Sequence, residues 1–308
     1  MKPLVSICIP TYNREKTILD ALNCALNQTY KNIEILISED HSSDQTLALI
    51  KKVKDPRINL IIQKERLGMI PNWNFCIQKA KGEYIKFLHS DDLIDLTCVE
   101  KELHFFLKNK DVSLVTCKRK FIDDQDKLLY TMQFANKNTN ENGREYGHKL
   151  ITNIRENRIG EPSAVMFRKS DALKAGLFDS RFSQLADFEF WLRLHLFGNI
   201  GYINEPLCSF RLHGGSNTTA AIKDGRFIDE TFVFIEKFYG NDEYKKAFKL
   251  TKKDKKKVIH VKTLDFLKNI KILFIAGDLK TAKIYLSKLL KYVTIPDIFL
   301  SSINHLLS

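Results

Sequence analysis

The chain has 308 residues, 44% hydrophobic and 28% charged, an ordinary composition for a soluble globular protein with room for a sizeable core. No apolar run approaches the roughly 18–20 residues of a membrane span. The first run, "LVSICI", is too short for a secretory leader, and six scattered cysteines without a CxxC pair read as reduced cytoplasmic thiols rather than a disulfide framework.

In chain order, the first 90 residues alternate between two hydrophobic periods. "LVSICIP" (4–10) is a short strand-like run ended by proline, and "REKTILDALNCALNQ" (14–28) sets Ile18, Ala21, Leu22, Ala25 and Leu26 on one helical stripe. Residues 32–38 read as a strand, 43–53 as a helix with Ser42 or Ser43 as N-cap, and 57–62 as a third strand. A helix over 71–82, opened by Pro71 and closed by Gly82, leads to a fourth strand over 83–88. This rhythm predicts a Rossmann-like α/β core, a mostly parallel sheet flanked by helices. Beyond residue 92 the spacing predicts a helix over 96–108, a strand near 111–121, a polar surface loop over 135–145 and a strand over 161–170. A helix over 187–198 closed by Gly198, a strand from 206 into a Gly-rich turn, and helices from about 223 onward complete the chain.

In parallel sheets ligands bind beyond the carboxyl ends of the strands. That rule gathers three loops, "PTYNR" (10–14), "SEDHSSD" (38–44) and "HSDD" (89–92), on one edge. Asp91 and Asp92 repel unless a cation stands beside them, and a divalent metal shared with a diphosphate would serve; capping of the helix near Asp95 is the plainer alternative. Glu39 and Asp40 suit the N–H groups of a base or the hydroxyls of a ribose, although capping is again open. Tyr12 offers a ring for stacking, with Thr11, Asn13 and Arg14 around it. Neither GxGxxG after the first strand nor GxxxxGK[ST] is present, so a nucleotide here would be held by carboxylates and a metal.

Five segments in order, "VSICIPTYNR", "ILISEDHSSDQT", "AKGEYIKFLHSDD", "DFEFWLRL" and "FRLHGGS", resemble the inverting family 2 glycosyltransferases of the GT-A fold, which build bacterial surface polysaccharides such as lipopolysaccharide and capsule. The resemblance covers about residues 3–219. It implies a metal-dependent glycosyltransferase that moves a sugar from a nucleotide-diphosphate donor, UDP favoured, to a hydroxyl of a glycan or lipid-linked glycan. By position it assigns Thr11, Tyr12, Asn13, Arg14, Glu39, Asp40 and Asp91 to the nucleotide. Asp91 and Asp92 match the D-x-D metal motif for Mn²⁺ or Mg²⁺, with His213 able to approach the metal. Asp187 matches the general base, its alternative role being the first-turn acid of a helix. Glu161 and Arg211 fall to the acceptor or diphosphate side. Three positions depart from the pattern: His89 opens the metal motif where an aspartate is usual, Ala186 stands where a glutamate often precedes the base, and Glu39 replaces an aspartate. The expected division is a GT-A catalytic domain over 1–222, with a nucleotide-binding half (1–92) and an acceptor-binding half (93–222), and a basic helical extension over 223–308.

Net charge is +12, yet from residue 245 onward fifteen lysines face four aspartates with no Arg or Glu, leaving about +1 for residues 1–244. Within this tail 278–292 is amphipathic, with Leu279, Ala282, Tyr285, Leu286, Leu289 and Leu290 on one side and Lys280, Lys283, Lys288 and Lys291 on the other. Two readings stand: a helix packed on the protein with a solvated lysine face, or peripheral attachment to anionic lipid at the inner face of the plasma membrane. Nucleic acid is disfavoured, because no arginine accompanies the lysines. A sugar nucleotidyltransferase would need a Gly-rich basic loop after the first strand, which "PTYNREK" does not supply. A non-catalytic nucleotide-sugar binder would not need Asp91, Asp92 and Asp187 intact.

Overall fold

The computed structural model describes residues 2–154, 157–212 and 223–294. They fall into two compact units: one gathers the described residues of 1–143, 157–180 and 186–213, the other those of 144–156, 181–185 and 214–308.

The first unit is built on a ten-stranded sheet. Its first half follows the βα rhythm: β1 (Val5–Thr11), α1 (Ile18–Leu26), β2 (Ile33–Glu39), α2 (Thr46–Lys52), β3 (Ile58–Ile62), α3 (Met69–Lys79) and β4 (Tyr84–Phe87). β1, β2 and β4 are buried along their whole length, which is why they read as continuous apolar runs rather than alternating ones. β3, β2, β1 and β4 lie side by side and parallel, with Thr11 opposite Glu39 and Cys8 opposite Phe87. The three predicted loops therefore do leave the same edge.

The second half breaks the parallel rule. After β5 (Leu93–Ile94) and α4 (Cys98–Lys108) come β6 (Val112–Ile122), β7 (Leu128–Met132), β8 (Thr139–Glu141), a 3₁₀ turn (Pro162–Ala164), β9 (Val165–Arg168), α6 (Lys169–Ala175), α7 (Ala186–Leu194) and β10 (Asn199–Arg211). β9 inserts antiparallel between β4 and β6, and β10 runs parallel to β6. A mixed, mostly parallel sheet results. The stretch 135–145 is not all loop, because Thr139–Glu141 pairs with β10.

Several predicted boundaries are corrected by close packing. Gly82 does not cap α3: a Cβ there would stand 2.6 Å from Ser6 N, so glycine is needed where the chain passes β1. Pro71 lies inside the first turn of a helix that opens after Gly68, at φ +88°. Gly198 likewise sits against Asp111 O, where a Cβ would approach to 2.4 Å, while α7 ends earlier at Leu194. Ser42 and Ser43 do not cap α2, since their hydroxyls meet Asn13 and it is Asp44 that accepts from Thr46 N.

The core of this unit holds a buried ion pair. Lys86 Nζ on β4 lies 2.7 Å from Glu102 Oε1 on α4, both side chains fully buried. Burial pushes the Glu102 carboxyl up to about 7 against the pull of Lys86. All six cysteines are free.

The second unit is helical among its described residues. It contains α5 (Gly143–Thr152, from Arg144 on), α8 (Arg226–Gly240), α9 (Asp242–Ala247), α10 (Lys252–Ile275) and α11 (Leu279–Leu289). Glu230 on α8 accepts the backbone amides of Ser183, Gln184 and Leu185 at 2.8–3.0 Å, fixing that short segment to the helices. A reciprocal cap between Thr251 and Asp254 starts α10. The amphipathic tail helix packs, but with only part of its apolar side: Ala282, Tyr285 and Leu289 are buried, whereas Leu279, Leu286 and Leu290 are exposed. Lys288 is drawn inward to an ion pair with Asp229. No helix among the described residues is long and apolar enough to cross a membrane.

Candidate active site

The strand ends of the first unit bring two clusters of charged side chains together, and Glu161 connects them. The first cluster stands where β1, β2 and β4 finish. Arg14 Nε reaches Asp91 Oδ2 at 3.1 Å, Thr17 Oγ1 donates to Ser90 O at 2.7 Å, and Asn13, at φ +51°, exchanges hydrogen bonds with Ser43. Sheet register alone explains why residues 77 positions apart meet here.

The two aspartates differ sharply in setting. Asp92 is almost fully buried; its Oδ2 accepts from Ser163 Oγ at 2.5 Å and its Oδ1 from Arg211 N at 3.1 Å. Burial first, then neighbouring Asp91, hold its carboxyl well above the usual carboxylate range. Asp91 is the more open, with 20% of its side chain exposed beside Arg14. Adjacent hard oxygen donors under mutual repulsion fit Mg²⁺ or Mn²⁺, which take one or two carboxylates and complete their shell with phosphate oxygens and water. Among the described residues no group of three or more His, Cys, Asp or Glu assembles. His213 lies outside the described residues.

The nucleotide assignments separate into two kinds. Tyr12 keeps an aromatic face at the edge, and the Arg66 guanidinium lies 3.9 Å from its ring centroid. Thr11 Oγ1 is buried without a hydrogen-bond partner. Glu39 and Asp40, by contrast, are occupied in shaping loops. Glu39 Oε1 accepts from Ser42 N at 2.7 Å, and the two oxygens of Asp40 accept from Leu67 N and Gly68 N at 2.7 and 2.9 Å. Asp40 thereby fixes the loop that carries Arg66. His89 packs 4.7 Å from the Trp73 ring, its amide donates to Ser163 Oγ, and burial lowers its imidazole to about 4. A neutral ring thus stands where the sequence resemblance places an aspartate. Trp73 and Trp191 are both buried.

The second cluster surrounds Asp187 at the start of α7. The carboxyl is partly buried and accepts from Asn157 Nδ2 at 2.9 Å. Burial, and then the charge of Glu161, push it up to about 7. Arg119 Nε lies 3.1 Å from Glu161 Oε2, at ion-pair distance but not at a hydrogen-bonding angle. The same guanidinium donates to the carbonyls of Asn157 and Arg158. Gly160, at φ +121°, lets Arg119 pass, since a Cβ would meet its Nη1 at 2.4 Å; Gly160 O in turn accepts from Trp191 Nε1. Glu161 also raises Asp92, so both clusters share one electrostatic field. Arg211 is turned inward rather than to an open face: Nε donates to Asp91 O, and Nη1 bonds Asp123 O and pairs with Asp126 at 2.6 Å.

Sequence reasoning missed Arg66, Ser163, Asn157 and Arg119. Only Ser163 and Asn157 had a local cue, both lying within three residues of Gly160 in the stretch before a strand.

A family model described as glycosyl transferase family 2 matches residues 6–171. An uncharacterized protein of Mycobacterium tuberculosis is 33% identical over 229 residues, 72% of this chain and 70% of that protein. The Escherichia coli UDP-Glc:alpha-D-GlcNAc-diphosphoundecaprenol beta-1,3-glucosyltransferase WfaP is 44% identical over 107 residues, 35% of this chain and 43% of its own. Among solved structures, Staphylococcus aureus TarS 1-349 in complex with UDP-GlcNAc superposes with a TM-score of 0.65 at 16% identity, over 95% of this chain and 91% of that one, a likeness of fold.

Proposed function

The chain belongs to glycosyl transferase family 2 and is a glycosyltransferase, and on that premise we propose that it moves a sugar from a UDP-sugar to a hydroxyl of a glycan or lipid-linked glycan, with inversion, in surface-polysaccharide assembly. The donor class follows the E. coli relative, whose name specifies UDP-Glc and a diphosphoundecaprenol-linked acceptor. The observation that carries the mechanism is the Asp187 carboxyl pushed up to about 7, which suits a base working near neutral pH.

In this reading the acceptor hydroxyl gives its proton to an Asp187 oxygen as the hydroxyl oxygen bonds to the anomeric carbon. The bond from that carbon to the β-phosphate oxygen breaks at the same time, and UDP leaves with the electron pair. Asn157 and the first turn of α7 aim the carboxylate; Glu161, anchored by Arg119, keeps its proton affinity high. Tyr12, with one face of its ring covered by Arg66, stacks on the base with the other, and Thr11 Oγ1 gains the partner it lacks. A Mn²⁺ or Mg²⁺ held by Asp91 and Asp92 would neutralise charge on the departing diphosphate. Arg14 and Arg211 hold the two aspartates in place. The protein works in the cytoplasm, at the inner face of the membrane where such acceptors are presented.

The test is a thermal-shift and transfer panel of UDP- and GDP-sugars with and without Mn²⁺. Stabilisation by UDP that grows with Mn²⁺, and turnover of one UDP-sugar, are expected. Stabilisation by GDP alone would overturn the donor assignment, and a UDP shift indifferent to Mn²⁺ would overturn the metal.

A further inference from the structure

The α10–α11 hairpin carries a surface that the transfer reaction does not use. Gly277, at φ +79°, reverses the chain between the two helices. Ala276 N donates to Ile272 O, Gly277 N to Phe274 O and Asp278 N to Leu273 O, so the turn is held by its own backbone. On this hydrogen-bonded turn Ile272, Phe274, Ile275 and Leu279 are exposed by 54, 66, 73 and 58%. Phe274 and Ile275 are the two most exposed large hydrophobic side chains among the described residues. A lone exposed leucine needs no explanation, but four such residues on one turn do.

Charge surrounds that apolar tip in a definite order. On α10, Lys268, Lys271, Ile272 and Ile275 are spaced as one helical face, lysines first and isoleucines toward the turn. α11 begins the reverse sequence, with exposed Leu279 followed by exposed Lys280 and Lys283. The only acid between residues 266 and 293 is Asp278, and its carboxyl caps α11 through Thr281 N. Apolar side chains at the extremity with ammonium groups one to two turns behind match the layering of an anionic bilayer, hydrocarbon inside and phosphate outside.

We propose that the α10–α11 turn is an insertion tip that docks this protein on an anionic lipid surface. A second copy of the chain is disfavoured as the occupant, because a two-fold contact through this turn sets lysines against the same lysines. The proposal goes beyond the transfer reaction, since neither donor nor acceptor chemistry enters it, and vesicle binding succeeds or fails independently of that reading.

The experiment is co-sedimentation of the full chain with phosphatidylcholine vesicles and with vesicles that also contain phosphatidylglycerol. Binding to the anionic vesicles only, weakening as salt rises, is expected. Phe274→Ser with Ile275→Ser should lower partitioning about tenfold or more, and Lys268→Gln with Lys271→Gln about fivefold per lysine, both with unchanged circular dichroism. A Phe274→Trp reporter should shift its emission to the blue on anionic vesicles. Absence of binding to anionic vesicles, undiminished binding by the Phe274/Ile275 variant, or a reporter with no blue shift would each overturn the proposal. So would a lipid-free dimer that the same double variant dissolves, which would give the surface to a second copy.

Discussion

The two units differ in where most of their charge lies. In the first, charged side chains are drawn inside and answered: Lys86 by Glu102, Asp91 by Arg14, Glu161 by Arg119, Asp40 by two backbone amides. In the second, lysines crowd the outer faces of α10 and α11 with few acids to meet them. The difference separates two uses of charge. Buried charges fix atoms and set proton affinities, so altering one changes chemistry or stability; exposed charges set what the surface attracts and leave the fold almost untouched.

Substitutions in the two units should therefore diverge in kind as well as size. Asp187→Asn should lower kcat for sugar transfer by about 10²–10⁴-fold, measured by donor turnover. It should not destabilise the protein at pH 8. With the folded carboxyl at about 7 and the unfolded one near 4, folding takes up a proton between those values. Native stability thus falls as pH rises to about 7, and a neutral amide escapes that loss. Glu102→Ala should cost about 3–5 kcal/mol in urea denaturation, because Lys86 is left buried and unanswered. Replacing both partners, Lys86→Met with Glu102→Leu, should recover most of it. Ser163→Ala should cost about 1–3 kcal/mol, since it strips Asp92 of a buried donor and the His89 amide of its acceptor. In the other unit, Lys268→Gln with Lys271→Gln should stay within about 0.5 kcal/mol of the parent. A large loss there would mean that those lysines serve the fold.

How much of this was legible in the sequence depends on distance along the chain. The βα alternation up to residue 90 could be read because buried parallel strands are continuous apolar runs and the helices carry a clear stripe. The shared edge followed from topology, and Tyr12 and Asp91 lie on its loops, whereas Asp187 came only from the family resemblance. What escaped were partners created by sheet order: Ser163 reaches Asp92 only because β9 inserts antiparallel beside β4, a strand that no local pattern oriented. The backbone contacts of Asp40 and Arg211 also escaped, since a side chain that braces a loop and one that faces a ligand look alike in sequence. The tail shows the same limit. Its helical wheel gave the apolar side of α11 correctly, but not that α8 and α10 cover only Ala282, Tyr285 and Leu289 of it.

The most direct measurement is the pH dependence of kcat/KM for transfer from the preferred UDP-sugar, in the parent and in Asp187→Asn. The parent should rise with pH to a plateau with its midpoint near 7, as Asp187 loses its proton, and the variant should show only a low rate without that limb. A midpoint near the ordinary carboxylate value of about 4, or the same limb surviving in Asp187→Asn, would contradict the assignment of Asp187 as the base.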